Sequence, residues 1–142
     1  MNPAVERFPY QASDRFSGSA GLSPYLPILL SLGTASLSAT ALVDSGASVN
    51  VLPHDRGLEL GAVWDRQTTR IRLTGNLAAV EARGILVDAT VGGLSPVRLA
   101  FAWTLANDLP IILGQTNFFL AYDVCFFRTQ GTFEIRPAAS TS

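Results

Sequence analysis

From Tyr25 onward the chain is a succession of short apolar runs broken by Gly, Pro and Asn. That spacing predicts a mostly β domain in which helix is a minor component. Residues 25–32 and 37–43 read as two strands joined by Gly33-Thr34-Ala35-Ser36, a hairpin connection because Gly tolerates positive φ. Residues 69–74 alternate, with Ile71 and Leu73 on one face and Arg70, Arg72 and Thr74 on the other, the pattern of a half-exposed strand. Gly75-Asn76 signals a turn, and residues 77–91 read as a long extended segment with Ile85, Val87, Ala89 and Val91 on one face. The two sides together predict a projecting hairpin. Residues 97–103 place Val97, Leu99, Phe101 and Trp103 on a common face, the clearest strand in the chain. Residues 110–113 are fully apolar and end at Gly114, residues 115–120 fit one short helix, and residues 122–127 and 132–135 bracket Gln130-Gly131 as a last hairpin.

Residues 1–22 are rich in Ser, Gly and polar residues, with isolated aromatics at Phe8, Tyr10 and Phe16. They show no sustained period and are expected to form a flexible arm or tail. Residues 23–137 are expected to make one domain and 138–142 a C-terminal tail, since 142 residues leave no room for a second comparable core. Apolar residues make up 48% of the chain against 15% charged, so the folded surface should keep enough apolar area to favour a partner interface. Ten basic residues against eleven acidic ones, with no basic run, leave no electrostatic footprint for nucleic acid or an anionic membrane. Residues 25–43 are apolar but interrupted by Pro27, Gly33 and several Ser and Thr, a poor membrane span. No clean basic start supports a signal peptide. Cys125 is the single cysteine, so no intrachain disulfide forms and the cytoplasm is the default compartment.

The segment with chemical content is Leu42-Val43-Asp44-Ser45-Gly46-Ala47-Ser48, an apolar strand ending in a carboxylate followed by a hydroxyl, a glycine and a small residue. A carboxylate at a strand end is held rigidly, and the glycine lets backbone N–H groups turn towards its oxygens. Ser45 can hydrogen-bond neighbouring backbone and lock the loop. Asp-Ser-Gly alone is a common turn sequence. Its setting is less common: Val49, Val51 and Leu52 follow it, and Ile111-Ile112-Leu113-Gly114 comes later. Other chemistries find little support. His54, the single histidine, has no Gly-x-Ser-x-Gly elbow to accompany it and is expected at the surface. Cys125 lies in an apolar run and is expected to be a buried, inert thiol. No metal-ligand spacing occurs, and neither glycine-rich stretch is followed by the lysine of a phosphate loop. Trp64 could line a peptide cleft, whereas Trp103 at the end of an alternating strand reads as core or interface.

At these residues the chain resembles the retropepsin family of aspartic peptidases, over about residues 25–135. The resemblance implies a closed-barrel acid-protease fold, all-β apart from one short helix, and a homodimer. It implies that Asp44 is the catalytic carboxylate in a loop continued by Ser45, Gly46 and Ala47. A flap over the substrate would use Leu73, Thr74, Gly75, Asn76 and Leu77, and Ile112, Leu113 and Gly114 would pack beneath the active-site loop. The run from Ile112 to Phe119 and the closing Gly131-Thr132-Phe133-Glu134-Ile135 look especially like bacterial members. Retroviral enzymes usually carry an acid after the Ala and an arginine after the later Gly. Here Ser48 and Gln115 stand there, so both partners of that ion pair are absent together. Acid-protease chemistry needs two carboxylates sharing a proton, and the other acids lack the apolar-Asp-Ser-Gly setting, so the second must come from another copy. The implied activity is hydrolysis of an extended peptide or unfolded protein by activated water, with no metal or cofactor. The alternative is a non-catalytic peptide-binding or dimerisation module on the same fold.

Overall fold

An alternating strand turns one file of apolar side chains inward, and a sheet that curls until its first and last strands pair buries those files without leaving an edge. The computed structural model describes residues 4–12 and 21–139. Among these, the strands are β1 (Glu6–Pro9), β2 (Tyr25–Leu32), β3 (Ala35–Val43), β4 (Val51–Leu52), β5 (Ala82–Thr90), β6 (Val97–Thr104), β7 (Ile111–Leu113), β8 (Tyr122–Phe127) and β9 (Thr132–Pro137). Two short helices, α1 (His54–Glu59) and α2 (Phe118–Ala121), complete the regular structure together with single 3-10 turns. Six strands close a barrel in the order β2-β3-β7-β4-β6-β5, with β5 pairing back onto β2. The pairs β3–β7 and β4–β6 are parallel and the remaining barrel pairs antiparallel. Among the described residues, no helix is long and apolar enough to cross a membrane.

The barrel interior is built from the files that the alternation marks: Leu26, Ile28 and Leu30 of β2, Ile85, Val87 and Ala89 of β5, and Leu99, Phe101 and Trp103 of β6. Pairing of Leu32 with Ala35 shortens the first connection to Gly33-Thr34, and Gly33 takes φ 60° there. A second sheet, ordered β1-β9-β8, lies outside the barrel. Its Phe133 and Ile135 join Phe118 and Tyr122 in the same buried cluster as the barrel residues, so the two sheets share one core.

The structure departs from the sequence reading in several places. Glu6–Pro9, read as part of the arm, is a strand on β9 with Arg7 paired to Glu134 at 3.0 Å and the Glu6 carboxylate accepting the Gly93 N–H at 2.6 Å. The rest of the expected arm and the C-terminal tail lies largely outside the described residues. A second helix, α1, forms where one was expected in all, because tertiary packing overrides a poor local signal. Its Gly57 is buried against the indole of Trp103, where a Cβ would collide with the ring. His54 is half-buried rather than at the surface, stacked on Trp103 with centroids 5.6 Å apart. Cys125 is half-buried rather than buried.

Asn50, between the Asp44–Ser48 loop and β4, is fully buried. Its Oδ1 accepts the Gly114 N–H at 2.8 Å and its Nδ2 donates to the Ala100 carbonyl at 3.1 Å. The Asn117 Oδ1 accepts the N–H of Ala100 at 2.9 Å. Ala100 precedes the short stretch of β6 that pairs with β4, so two side-chain amides continue the ladder where strand pairing stops. Asn50→Ala strands two backbone groups, each worth about 1–3 kcal/mol when left buried without a partner. A loss of at least ~2 kcal/mol in urea unfolding is therefore expected, and an unchanged midpoint would refute this role.

Tyr122 is buried and its hydroxyl has no hydrogen-bond partner among the described residues. Burial pushes its phenol above the ordinary value. The unfolded chain then releases this proton first as pH rises, so the folded state binds more protons and stability falls through the alkaline range above about pH 10. Tyr122→Phe is expected to leave neutral-pH stability unchanged or raise it by up to ~1 kcal/mol, and to shallow the alkaline decline measured by urea midpoints.

Candidate active site

Asp44 is the first residue past β3, and its position is set by the strand beside it. Parallel pairing aligns Ala41, Leu42 and Val43 with Ile111, Ile112 and Leu113, and the Asp44 N–H extends that ladder by donating to the Leu113 carbonyl at 2.9 Å. The chain then turns, with the Ala47 N–H donating to the Asp44 carbonyl at 3.1 Å. Within the turn the Gly46 N–H donates to Asp44 Oδ1 at 2.9 Å, a charge-assisted bond that fixes the carboxylate. Gly46 lies outside the positive-φ glycines of this chain. The constraint on it is space: a Cβ there would stand 3.2 Å from Asp44 Oδ1.

The end of β7 and the residues after it lie close against this loop. A Cβ on Gly114 would lie 2.5 Å from the Val49 carbonyl oxygen and 2.8 Å from that of Ala47, so only glycine fits between β7 and the loop. The Gln115 N–H donates to the Ala47 carbonyl at 2.9 Å and the Thr116 N–H to the Ser48 carbonyl at 2.8 Å. Leu113 is buried, while Ile112 is half-buried and packs with Val51 in a second, smaller apolar cluster. Ser45 is exposed, and among the described residues its hydroxyl makes no hydrogen bond. The loop is instead tied through the Ser45 carbonyl, which accepts the Gln115 Nε2–H at 2.8 Å. A neutral amide thus serves where an ion pair was missing.

The segment read as a flap is only partly hairpin-like. The Ile71 N–H donates to the Ala82 carbonyl at 3.0 Å and the Gly84 N–H to the Thr69 carbonyl at 2.8 Å, a narrow base around the single bridge between Arg70 and Arg83. Beyond it no ladder continues: Gly75–Leu77 is a 3-10 turn with Gly75 at φ 64°. Gly, Asn and Ala in residues 75–79 are poor strand formers. The expected alternation of burial survives, with Leu73 buried and Arg72 and Thr74 exposed. Leu73 is packed with Val51, Ala82 and Ala102, Leu77 is half-buried against the same cluster, and Gly75 and Asn76 are exposed.

Asp44 is half-buried, and other acids are committed elsewhere. Glu59 pairs with Arg56, Glu81 with Arg83, Asp88 with Arg98, and Glu134 with both Arg7 and Arg136. A cavity of about 400 Å³ lies between β3, α1 and the segment before β7, lined by Tyr25, Thr40, Arg56 and Asn107 among others, and does not take in Asp44. The candidate site is therefore marked by the loop geometry and not by the concavity. Trp64, a candidate cleft residue, packs edge-on against Trp103 with centroids 5.1 Å apart and beneath the Arg83 guanidinium. The functional neighbours that sequence reasoning missed are Asn50 and the side-chain role of Gln115. An isolated Asn inside the apolar run Val49 to Leu52 was the available signal for the first.

No family model and no curated protein matches the sequence. Solved structures do match. A retropepsin-like aspartic protease from Rickettsia conorii superposes with a TM-score of 0.63 at 18% identity, covering 96% of this chain and 94% of its own. The retroviral protease-like domain of Ddi1 from Leishmania major is 18% identical with a TM-score of 0.48, over 64% of this chain and 72% of its own. With its closed six-stranded barrel, its glycine-nested loop and a match to the Rickettsia structure along almost the whole length of both chains, this chain has the retropepsin-like fold.

Proposed function

We propose that this chain is one subunit of an aspartic endopeptidase in which Asp44 from each of two copies activates a water molecule for peptide-bond hydrolysis. The observation that carries the reading is the Asp44 carboxylate, held at a strand end by the Gly46 N–H and buttressed from below by Gly114. One carboxylate takes a proton from water while the other, protonated, donates to the scissile carbonyl oxygen. A two-fold axis supplies the second group, since the other acids lack the apolar-Asp-Ser-Gly setting of Asp44. Apolar side chains left at the surface are consistent with such an interface: Leu120 of α2 is 72% exposed and Phe126 of β8 39%. The substrate is an extended peptide bound through its backbone, with residues 73–77 acting as a short flap. A single cysteine fits a cytoplasmic setting.

A binding module without catalysis is favoured by one observation, the coiled rather than hairpin form of residues 75–79. The two readings separate on one variant. Asp44→Asn is expected to lower cleavage of an unfolded protein by at least about a thousandfold while leaving the thermal unfolding curve in place. Cleavage that survives the substitution would reject Asp44 as the catalyst, and a dimeric wild type inactive on varied unfolded proteins would favour the binding module.

The shared proton also sets the pH response. Activity requires one carboxylate ionised and one protonated, so the rate should fall on both sides of a maximum and report the pair rather than a single residue. A sigmoidal profile with one inflection would argue against a dyad. Mixing wild type with excess Asp44→Asn should depress activity below simple dilution, because mixed dimers hold one carboxylate; activity that merely scales with wild-type concentration would mean that each chain works alone.

A further inference from the structure

We infer that Gln115 is a positioning residue for Asp44, its side-chain amide fixing the peptide plane whose N–H holds the carboxylate. The inference rests on the proposed role of Asp44. The carbonyl of Ser45 and the N–H of Gly46 belong to one peptide unit, which is planar and rigid. Gln115 Nε2 donates to the carbonyl end at 2.8 Å, and the N–H end donates to Asp44 Oδ1 at 2.9 Å. A carbonyl only accepts, so the group facing Ser45 is the amide nitrogen. Anchored at both ends, the plane can no longer rotate about its flanking bonds, and a donor on its oxygen polarises the unit so that its N–H binds an anion more strongly.

The backbone of the same residue reinforces the placement. The Gln115 N–H holds the Ala47 carbonyl at 2.9 Å, so one residue grips the loop on both sides of Gly46. This grip is uncharged. Asp44 is the only ionisable side chain among residues 44–52, and residues 109–121 contain none. The support keeps its hydrogen bonds at every pH at which the dyad works, which an acid–arginine pair would not do once its acid is protonated.

The test exploits the difference between an amide and a carboxyl group of the same shape. Gln115→Glu has no donor for Ser45 when ionised and regains one when protonated, whereas Gln115→Ala never has one. Gln115 is exposed, so both variants should fold, which thermal melting checks. The Gly46 amide is followed by its proton and nitrogen chemical shifts and its hydrogen exchange in wild type and both variants. Peptide cleavage is measured on the same samples. At neutral pH both variants are expected to shift the Gly46 signal, speed its exchange and lower kcat about tenfold with KM little changed. Below about pH 4.3, Gln115→Glu but not Gln115→Ala should return to the wild-type signal and relative kcat. A Gly46 amide untouched by either substitution, or an identical pH response of the two variants, overturns the inference. If the wild type cleaves nothing, the peptidase reading fails by itself while the amide measurements still decide whether Gln115 orients this peptide.

Discussion

The close approach of Gly114 to the carbonyls of Ala47 and Val49 is the constraint from which the rest of the site follows. Without a side chain at this point β7 can run parallel to β3 right up to Asp44, and the loop can settle on the strand end instead of standing away from it. Hydrogen bonds then have short distances to span: Gly114 to Asn50, Gln115 to Ala47, Thr116 to Ser48. A methyl group at residue 114 would push the loop outward and lengthen all of them together. The carboxylate is thus positioned mainly by backbone, and the side chains that help, Asn50 and Gln115, are both neutral amides.

How much of this could be read beforehand depends on whether the physical signal is local. β5 and β6 were legible because alternation reports a two-faced environment that each strand carries in its own residues, and β2 and β8 because short apolar runs stop at turn residues. The loop at Asp44 was legible because an apolar strand ending in an acid and a glycine is a local statement too. β4 is two residues long and α1 contains a glycine; each exists because of what lies next to it, Ile112 and Ala102 for one and Trp103 for the other. β1 is a strand only because β9 offers an edge, and nothing in Glu6-Arg7-Phe8-Pro9 announces it. Residues 73–77 show the reverse case, in which the burial pattern was visible but the backbone path was not, since the same apolar spacing is satisfied by an extended or a coiled chain.

The absence of the acid–arginine pair is easier to understand beside this geometry. An acid–arginine pair loses its attraction once the acid is protonated, whereas the amide of Gln115 reaches the Ser45 carbonyl with no charge to titrate. The trade is in strength and in reach. A neutral hydrogen bond is weaker than a charged one, and Gln115 contacts the loop of its own chain.

The pairing of β1 with β9 has a kinetic side. Glu6 lies opposite Ile135, so the outer sheet joins segments from opposite ends of the described chain, and closing so long a loop carries a large entropic cost before any contact is gained. The β2–β3 and β5–β6 hairpins close over short separations and can form early. During synthesis β1 is made well before β9 and waits unpaired until residue 135 has followed. For that interval its partner edge does not exist, so β1 can join the outer sheet only once β9 has been made.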